Sequence, residues 1–110
     1  MRKRKRYDPA LYQNTPILDL ILIAIYSLIS KGEICTFEEL VKECFDLFPK
    51  SFSFEKNFKW PDSRKLDRSL RTLRKRGLII GTPNTFFSLT KNGQNSAIEI
   101  SKSLRQRKLL

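Results

Sequence analysis

Histidine is absent from this sequence, and with it much of the chemistry on which enzymes rely. A Ser-His-Asp triad and a histidine general base both need an imidazole, so neither can be assembled here. Glycine is scarce as well: the four glycines are scattered, and none belongs to a loop of the kind that cradles phosphates. We therefore expect no enzymatic activity and no bound cofactor.

Cysteine occurs only twice, as Cys35 and Cys44. The two positions are too far apart for a Cys-x-x-Cys pair, and without histidine the chain cannot supply four ligands at the spacing of a structural zinc site. Both cysteines have apolar neighbours in the sequence. We expect buried, reduced thiols, as in the proteins of a reducing cytosol, and no metal site.

No apolar run is long enough to cross a bilayer. The longest begins at Ile17, ends at Ile29 and contains Asp19, whereas a membrane helix needs about 20 predominantly apolar residues. The run also starts late for a signal peptide and is followed by no clear cleavage pattern. It predicts a buried helix, and we expect a cytoplasmic, nucleoid-associated protein with no membrane partner.

Positive charge, in contrast, is abundant. The formal net charge is +11, and such an excess points to nucleic acid or to an acidic membrane surface. Residues 62–76 hold seven basic residues and two acids, whereas residues 33–46 hold five acids and one lysine. One side of the molecule is therefore expected to be positive and another negative, which favours oriented docking. Five consecutive cations stand near the start of the chain: Arg2, Lys3, Arg4, Lys5 and Arg6.

Residues 62–76 predict a helix with two incompatible faces. Leu66, Leu70 and Leu73 recur at helical spacing and form an apolar stripe. At about 100° per residue, four cations fall within about 60° of one another on the opposite side. These cations are Arg64, Arg68, Arg71 and Lys75. Like charges at such spacings repel, so the row gives the helix no stability, and a polyanion would relieve the repulsion.

A helix that is merely solvated is the alternative interpretation of this charged face. A solvated face usually mixes the two signs, and here only Asp67 and Arg74, on the flank of the helix, are expected to do so. We therefore favour contact with nucleic acid.

The chain divides into a basic arm and one domain. Residues 1–14 lack apolar periodicity and are expected to be a flexible arm, and residues 15–110 are expected to form the domain. The first helix of the domain is predicted to run from Pro16, with Thr15 as its cap, to Ser30.

A capping box and an aromatic segment follow. Thr36 and Glu39 have the spacing of a capping box and open a second helix, which Pro49 ends. Residues 50–61 are expected to be an irregular connection whose rings pack on the core. A stacking platform for unpaired bases is the alternative use of those rings, which belong to Phe52, Phe54, Phe58 and Trp60.

Gly77 is predicted to close the helix over residues 62–76. Two short strands follow, joined at residues 82–84 as a hairpin. A fourth helix with a basic end is expected to begin at Thr90 or Asn92.

The order of these elements and two short motifs carry a resemblance. The leucine-spaced basic helix ends in Arg-Gly-Leu-Ile at residues 76–79, and the hairpin ends in Leu-Thr-x-x-Gly at residues 89–93. With these motifs the chain resembles the winged helix-turn-helix superfamily of DNA-binding proteins, over about residues 16–104. The resemblance implies an α+β, mostly α fold with a three-helix core, a β-hairpin wing and a C-terminal helix.

The resemblance also implies roles for residues of the basic helix. Residues 62–76 would form the recognition helix in the major groove. Arg64 and Arg68 would lie near base edges, where either could bind guanine bidentately. The other candidate contacts on this helix, chiefly with phosphates, are Lys65, Arg71 and Lys75.

The expected contacts outside the helix are weaker or less specific. The tip of the wing, residues 82–85, has no arginine or lysine, so Asn84 and Thr85 are expected to give backbone or hydroxyl contacts at most. The arm, residues 2–6, is expected to follow the DNA backbone or the minor groove, with a contribution that is independent of sequence and sensitive to salt.

Two classes of function stay open at this point. The leading hypothesis is a winged-helix protein that binds double-stranded DNA, as a transcriptional regulator or as an accessory factor of a mobile element. The alternative is a protein-interaction module that docks through the acidic helix at residues 36–48, or an RNA-binding winged helix. Because residues 17–29 are apolar on nearly all sides, a homodimer through them or through the C-terminal helix is a further option.

Overall fold

The apolar run at residues 17–29 forms the centre of the fold. The computed structural model describes the chain at residues 9–54, 57–61 and 63–109, and its side chains at residues 10–52 and 66–104. The elements in chain order are α1 (Pro9–Tyr12), α2 (Ile17–Ser30), β1 (Cys35–Thr36), α3 (Phe37–Leu47), α4 (Pro49–Phe52), β2 (Ser53–Phe54), β3 (Asn57–Pro61), α5 (Ser63–Lys75), β4 (Ile79–Ile80), β5 (Phe86–Leu89) and α6 (Lys91–Leu109). The fold is α+β and mostly helical, as predicted.

Two small antiparallel sheets accompany the helices. The strands of the larger sheet lie in the order β1-β5-β4, so the strand between α2 and α3 is an edge strand that pairs with the far strand of the later hairpin. Cys35 lies opposite Phe87, and Ile79 lies opposite Leu89. Strands β2 and β3 form a separate hairpin.

Helix α2 is surrounded by the rest of the chain. It packs against α3, α5, α6 and β5, and the side chains from Leu20 to Ile25 are buried, as is Leu28. The predicted buried helix is confirmed. Its apolar content is accounted for by packing within the chain, so that content does not by itself require a partner subunit.

The start of α2 differs from the prediction by one residue. Pro16 is the N-cap and not the first helical residue, because its ψ of 145° is extended; no side chain caps the helix. The expected Thr15 cap was therefore wrong. The carbonyl of Pro16 instead accepts hydrogen bonds from the N–H groups of Asp19 and Leu20.

The packed domain begins before the expected boundary at residue 15. Residues of α1 are helical, and Tyr12 is fully buried, with its ring 5.0 Å from that of Phe48 in an edge-to-face contact. The Tyr12 hydroxyl accepts a hydrogen bond from the backbone N–H of Lys50 at 3.3 Å. The described part of the expected arm thus contributes to the core, while residues 2–6 lie outside the described residues.

Thr36 caps α3 as predicted, since its side chain accepts a hydrogen bond from the N–H of Glu39 at 3.2 Å. The acidic face expected on this helix is smaller than the sequence suggested. Glu43 is 2% exposed and accepts hydrogen bonds from Ser27 at 2.6 Å and from Lys31 at 3.1 Å. It therefore ties α3 to α2 and adds nothing to a negative surface.

Residues 50–61 were expected to be irregular, and they contain α4 and the β2–β3 hairpin instead. Phe52 is buried, with its ring 6.4 Å from that of Phe48. For Phe52, the prediction of core packing is confirmed. The side chains of the other three aromatic residues lie outside the described ones.

The hairpin and the last helix are joined through Thr90 and Gly93. The N–H of Gly93 donates to the hydroxyl of Thr90 at 3.0 Å, so Thr90 caps α6, which was one of the two predicted starts. Gly93 is buried, and a Cβ there would overlap the backbone carbonyl of Leu78.

Among the described residues, no helix combines the length and the apolar character needed to cross a membrane.

Gly93→Ala is expected to lower the free energy of unfolding by about 1–3 kcal/mol, the usual cost of overpacking. The loss arises because the added methyl group must displace the Leu78 backbone, and it outweighs the better helix propensity of alanine. Urea unfolding followed by circular dichroism measures it. Gln94→Ala, at an exposed position of the same helix, is the control, and equal stability of the two variants would contradict the close approach.

The two cysteines are buried free thiols, as predicted. Burial, together with the nearby carboxylates of Glu43 and Glu39, raises the pKa of Cys35 to about 12. Burial also raises the pKa of Cys44 well above its ordinary value. Both groups therefore keep their protons in the folded state over a pH range in which the unfolded chain releases them.

A thiol reagent at neutral pH should label both cysteines in urea and neither in the native protein on the same timescale. Because the folded state binds these protons more tightly, stability should also fall as pH rises from the ordinary value of 9.0 towards 12. Rapid labelling of the native protein at neutral pH would contradict this account.

Candidate nucleic-acid interface

Helix α5 is oriented by its leucine stripe. Leu66, Leu70 and Leu73 are buried, and the helix packs against α2. Fully burying one leucine side chain contributes about 1.5–3 kcal/mol, so the stripe fixes which side of the helix faces inward. The opposite side must then face solvent.

Three cations lie on that outer side. Arg68 and Lys75 are exposed, and the Arg71 side chain is 70% exposed. The structure therefore brings together three of the predicted contact residues in one row. Arg64 and Lys65 belong to the first turn of the same helix, and their side chains lie outside the described ones.

The acidic residue of the helix pairs differently from the prediction. Asp67 lies 3.4 Å from the guanidinium of Arg71, at i,i+4, and not beside Arg74 as expected. Neither Arg68 nor Lys75 forms an ion pair among the side chains that the structure describes. One member of the cation row is thus partly neutralised and two are not.

Arg74 bonds to the β4–β5 hairpin. Its guanidinium donates a hydrogen bond to the backbone carbonyl of Gly81 at 2.9 Å. Gly81 has a φ of +117°, and a Cβ there would overlap the carbonyl of Phe86, so the chain needs glycine at this contact. The sequence already separated Arg74 from the outer cations, because at about 100° per residue Arg74 lies nearer to the leucines than to the cation row.

The end of α5 is held by backbone contacts. Gly77 closes the helix as predicted, with a φ of +73°, and the N–H of Leu78 donates to the carbonyl of Leu73 at 3.1 Å. The Thr90 hydroxyl donates to the carbonyl of Gly77 at 2.7 Å. Together with the Arg74 bond, these contacts connect α5, the β4–β5 hairpin and the start of α6.

Arg76 lies just past the end of α5 and is exposed. Burial raises the pKa of Asp19 in α2, and the positive charge of Arg76 opposes that rise. Arg76 is therefore near the start of α2 and is not a member of the outer row.

The hairpin tip offers fewer groups than predicted. The N–H of Thr85 donates to the carbonyl of Thr82 at 3.0 Å, and the Thr85 hydroxyl accepts a hydrogen bond from the N–H of Thr82 at 3.1 Å. Asn84 is exposed. The polar groups of Thr85 are thus engaged within the turn, and Asn84 is the freer of the two predicted contacts there.

Two exposed apolar side chains on the hairpin were missed by the sequence reasoning. Ile80 is 59% exposed and Phe86 is 60% exposed. Each alternates with a buried neighbour, Ile79 or Phe87, so both point to the outer face of the sheet. Strand alternation was the signal that would have identified them.

No family model matches this chain, and none of the curated proteins or solved structures is significantly similar to it.

Arg74→Ala is expected to loosen the hairpin against α5 and to lower the free energy of unfolding by roughly 1 kcal/mol, the value of a typical net hydrogen bond. Amide exchange should accelerate in β4 and β5. Lys75→Ala, which removes the adjacent exposed cation, serves as the control and should leave both quantities unchanged. Unaltered exchange in Arg74→Ala would show that the bond does not hold the hairpin.

Proposed function

We propose that the protein binds double-stranded DNA with α5 in the major groove, as a winged-helix transcriptional regulator. The observation that carries the proposal is the outward row of Arg68, Arg71 and Lys75, directly opposite three buried leucines. A row of like charges adds no stability to the helix, and it suits a polyanion.

The sheet topology supports a winged-helix arrangement. Helices α2, α3 and α5 would form the three-helix core, and the β4–β5 hairpin would be the wing. The strand between α2 and α3 pairs with the second strand of that hairpin, which brings the hairpin alongside the core. Helix α6 would be the C-terminal helix.

The dimensions and the anchoring of α5 also support insertion into DNA. An α-helix with its side chains is about 10–12 Å across, and the major groove is about 12 Å wide. Arg68 and Lys75 have no acidic partner among the described side chains and would contact phosphates. The bonds from Arg74 and Thr90 hold the helix before any ligand is present, which reduces the ordering cost of binding.

The hairpin would contribute little charge to DNA binding. Its tip carries no cation, and Thr82 and Thr85 bond to each other. Asn84 would supply the polar contact expected of a wing. The basic segment at residues 2–6 would add a further salt-sensitive attraction.

A protein-interaction role is the second candidate, and the exposed pair of Ile80 and Phe86 is the observation that favours it. The acidic face of α3 gives it less support, because Glu43 is buried. A Phe86→Ser variant that binds DNA normally but loses a protein partner would establish that role alongside DNA binding. Single-stranded RNA is a third ligand class to be compared in the same titrations.

Binding to a labelled random duplex, measured at several salt concentrations, tests the proposal. With roughly four to eight phosphates contacted, log K against log salt should have a slope between about −4 and −7. The double variant Arg68→Ala/Lys75→Ala should bind more weakly, with a slope shallower by about 2.

The matched control is Lys42→Ala/Lys102→Ala, which removes two exposed cations from other helices. The two double variants therefore have the same net charge. If both double variants lose the same affinity and slope, binding follows net charge and α5 is not the interface. Failure of the wild-type protein to bind duplex, or a preference for single strands, would overturn the proposal itself.

A further inference from the structure

Asp67 is the only acidic residue in the sequence of α5. On a helix that enters a groove lined with phosphates, a carboxylate is repelled by the ligand and opposes binding. An exposed ion pair within a helix adds little stability, so stabilisation of α5 does not account for an acid at this position. The role of Asp67 is better sought in what it does to its partner.

Asp67 places a carboxylate beside the guanidinium of Arg71. Asp67 Oδ2 lies 3.4 Å from Arg71 Nη2, and the acid precedes the base by four residues, which is the favourable order on a helix. Asp67 is 41% exposed and Arg71 is 70% exposed. The guanidinium is therefore accessible to a ligand and has a carboxylate beside it.

This arrangement separates Arg71 from the two other described cations of the row. An arginine loses rotamer entropy when a contact fixes it, and an ion pair that already favours one orientation of the guanidinium lessens that loss on binding. The nearby carboxylate also weakens its attraction for phosphates. An oriented guanidinium suits a contact that requires a defined donor geometry, such as paired hydrogen bonds to a base. Because Asp67 partly neutralises its charge, Arg71 is less suited to a phosphate contact, which depends mainly on charge.

We propose that Asp67 positions Arg71 to read a guanine in the major groove, through bidentate hydrogen bonds to the O6 and N7 atoms of the base. Arginine is suited to this contact because its planar donors match the two acceptors. The inference rests on the proposed DNA-binding function. It assigns to Arg71 the base contact that the sequence assigned to Arg64 or Arg68, and it makes Asp67 a specificity-determining residue that need not touch DNA.

The test begins with a duplex selected from random sequence by the wild-type protein. Affinities for this duplex and for random duplex are then compared in wild type, Asp67→Ala, Arg71→Lys and Glu38→Ala. Asp67→Ala should bind random duplex more tightly, because a negative charge is lost, yet prefer the selected duplex roughly tenfold less than wild type does. Arg71→Lys, which keeps the charge without the planar donors, should lose the same preference.

A chemical probe identifies the base atom. Replacing single guanines of the selected duplex by 7-deazaguanine removes N7, and at one position this should weaken wild-type binding about tenfold. The same replacement should have little effect on Arg71→Lys or Asp67→Ala. Glu38→Ala, which removes an exposed acid from α3, should behave as wild type towards every duplex.

Three results would overturn the inference. The first is an equal gain of affinity by Asp67→Ala for selected and random duplex, which is a plain charge effect. The second is wild-type binding with no sequence preference, which contradicts base reading while the proposed function stands. The third is a complete lack of wild-type duplex binding, which removes the proposed function as well.

Discussion

Burial of Leu66, Leu70 and Leu73 against α2 is the constraint on which the interface depends. The positive residues of α5 repel one another, and their own contacts do not determine which side of the helix faces solvent. The leucine stripe determines it, because rotating the helix would expose apolar side chains at a cost of several kcal/mol. Helix α2 is the fixed surface for this packing, since it is itself enclosed by α3, α5, α6 and β5.

A second set of contacts limits the movement of α5 relative to its neighbours. Arg74 bonds to Gly81 in the hairpin, Thr90 bonds to Gly77 at the helix end, and Gly93 lets α6 approach Leu78. The outer row and the hairpin therefore form one connected surface, which would lower the entropy lost on binding DNA as proposed.

Local patterns predicted the four long helices and the caps at Thr36, Gly77 and Thr90, because these signals act over a few residues; the Thr15 cap was wrong, and the short helices α1 and α4 were not predicted. Contacts between distant segments could not be predicted in the same way. Tyr12 packs against Phe48, and Arg74 donates a hydrogen bond to the carbonyl of Gly81, seven residues further along the chain. The β2–β3 hairpin was missed although polar and aromatic residues alternate in both strands, as Ser53-Phe54 and as Asn57-Phe58-Lys59-Trp60; the strands are short, and their aromatic residues were interpreted as an irregular connection. Burial of Glu43 was in principle visible, since it lies three residues after buried Leu40 and four before Leu47.

A residue-by-residue map of the duplex contact by NMR tests most directly whether the outer row of α5 binds DNA. Labelled protein would be titrated with DNA at fixed salt, and the backbone amide and arginine side-chain signals followed. The account predicts that the largest changes occur at Arg68, Arg71 and Lys75, with the exposed face of α3 around Glu38 nearly unchanged. Changes centred on α3 or on Phe86, with the α5 row unaffected, would contradict it.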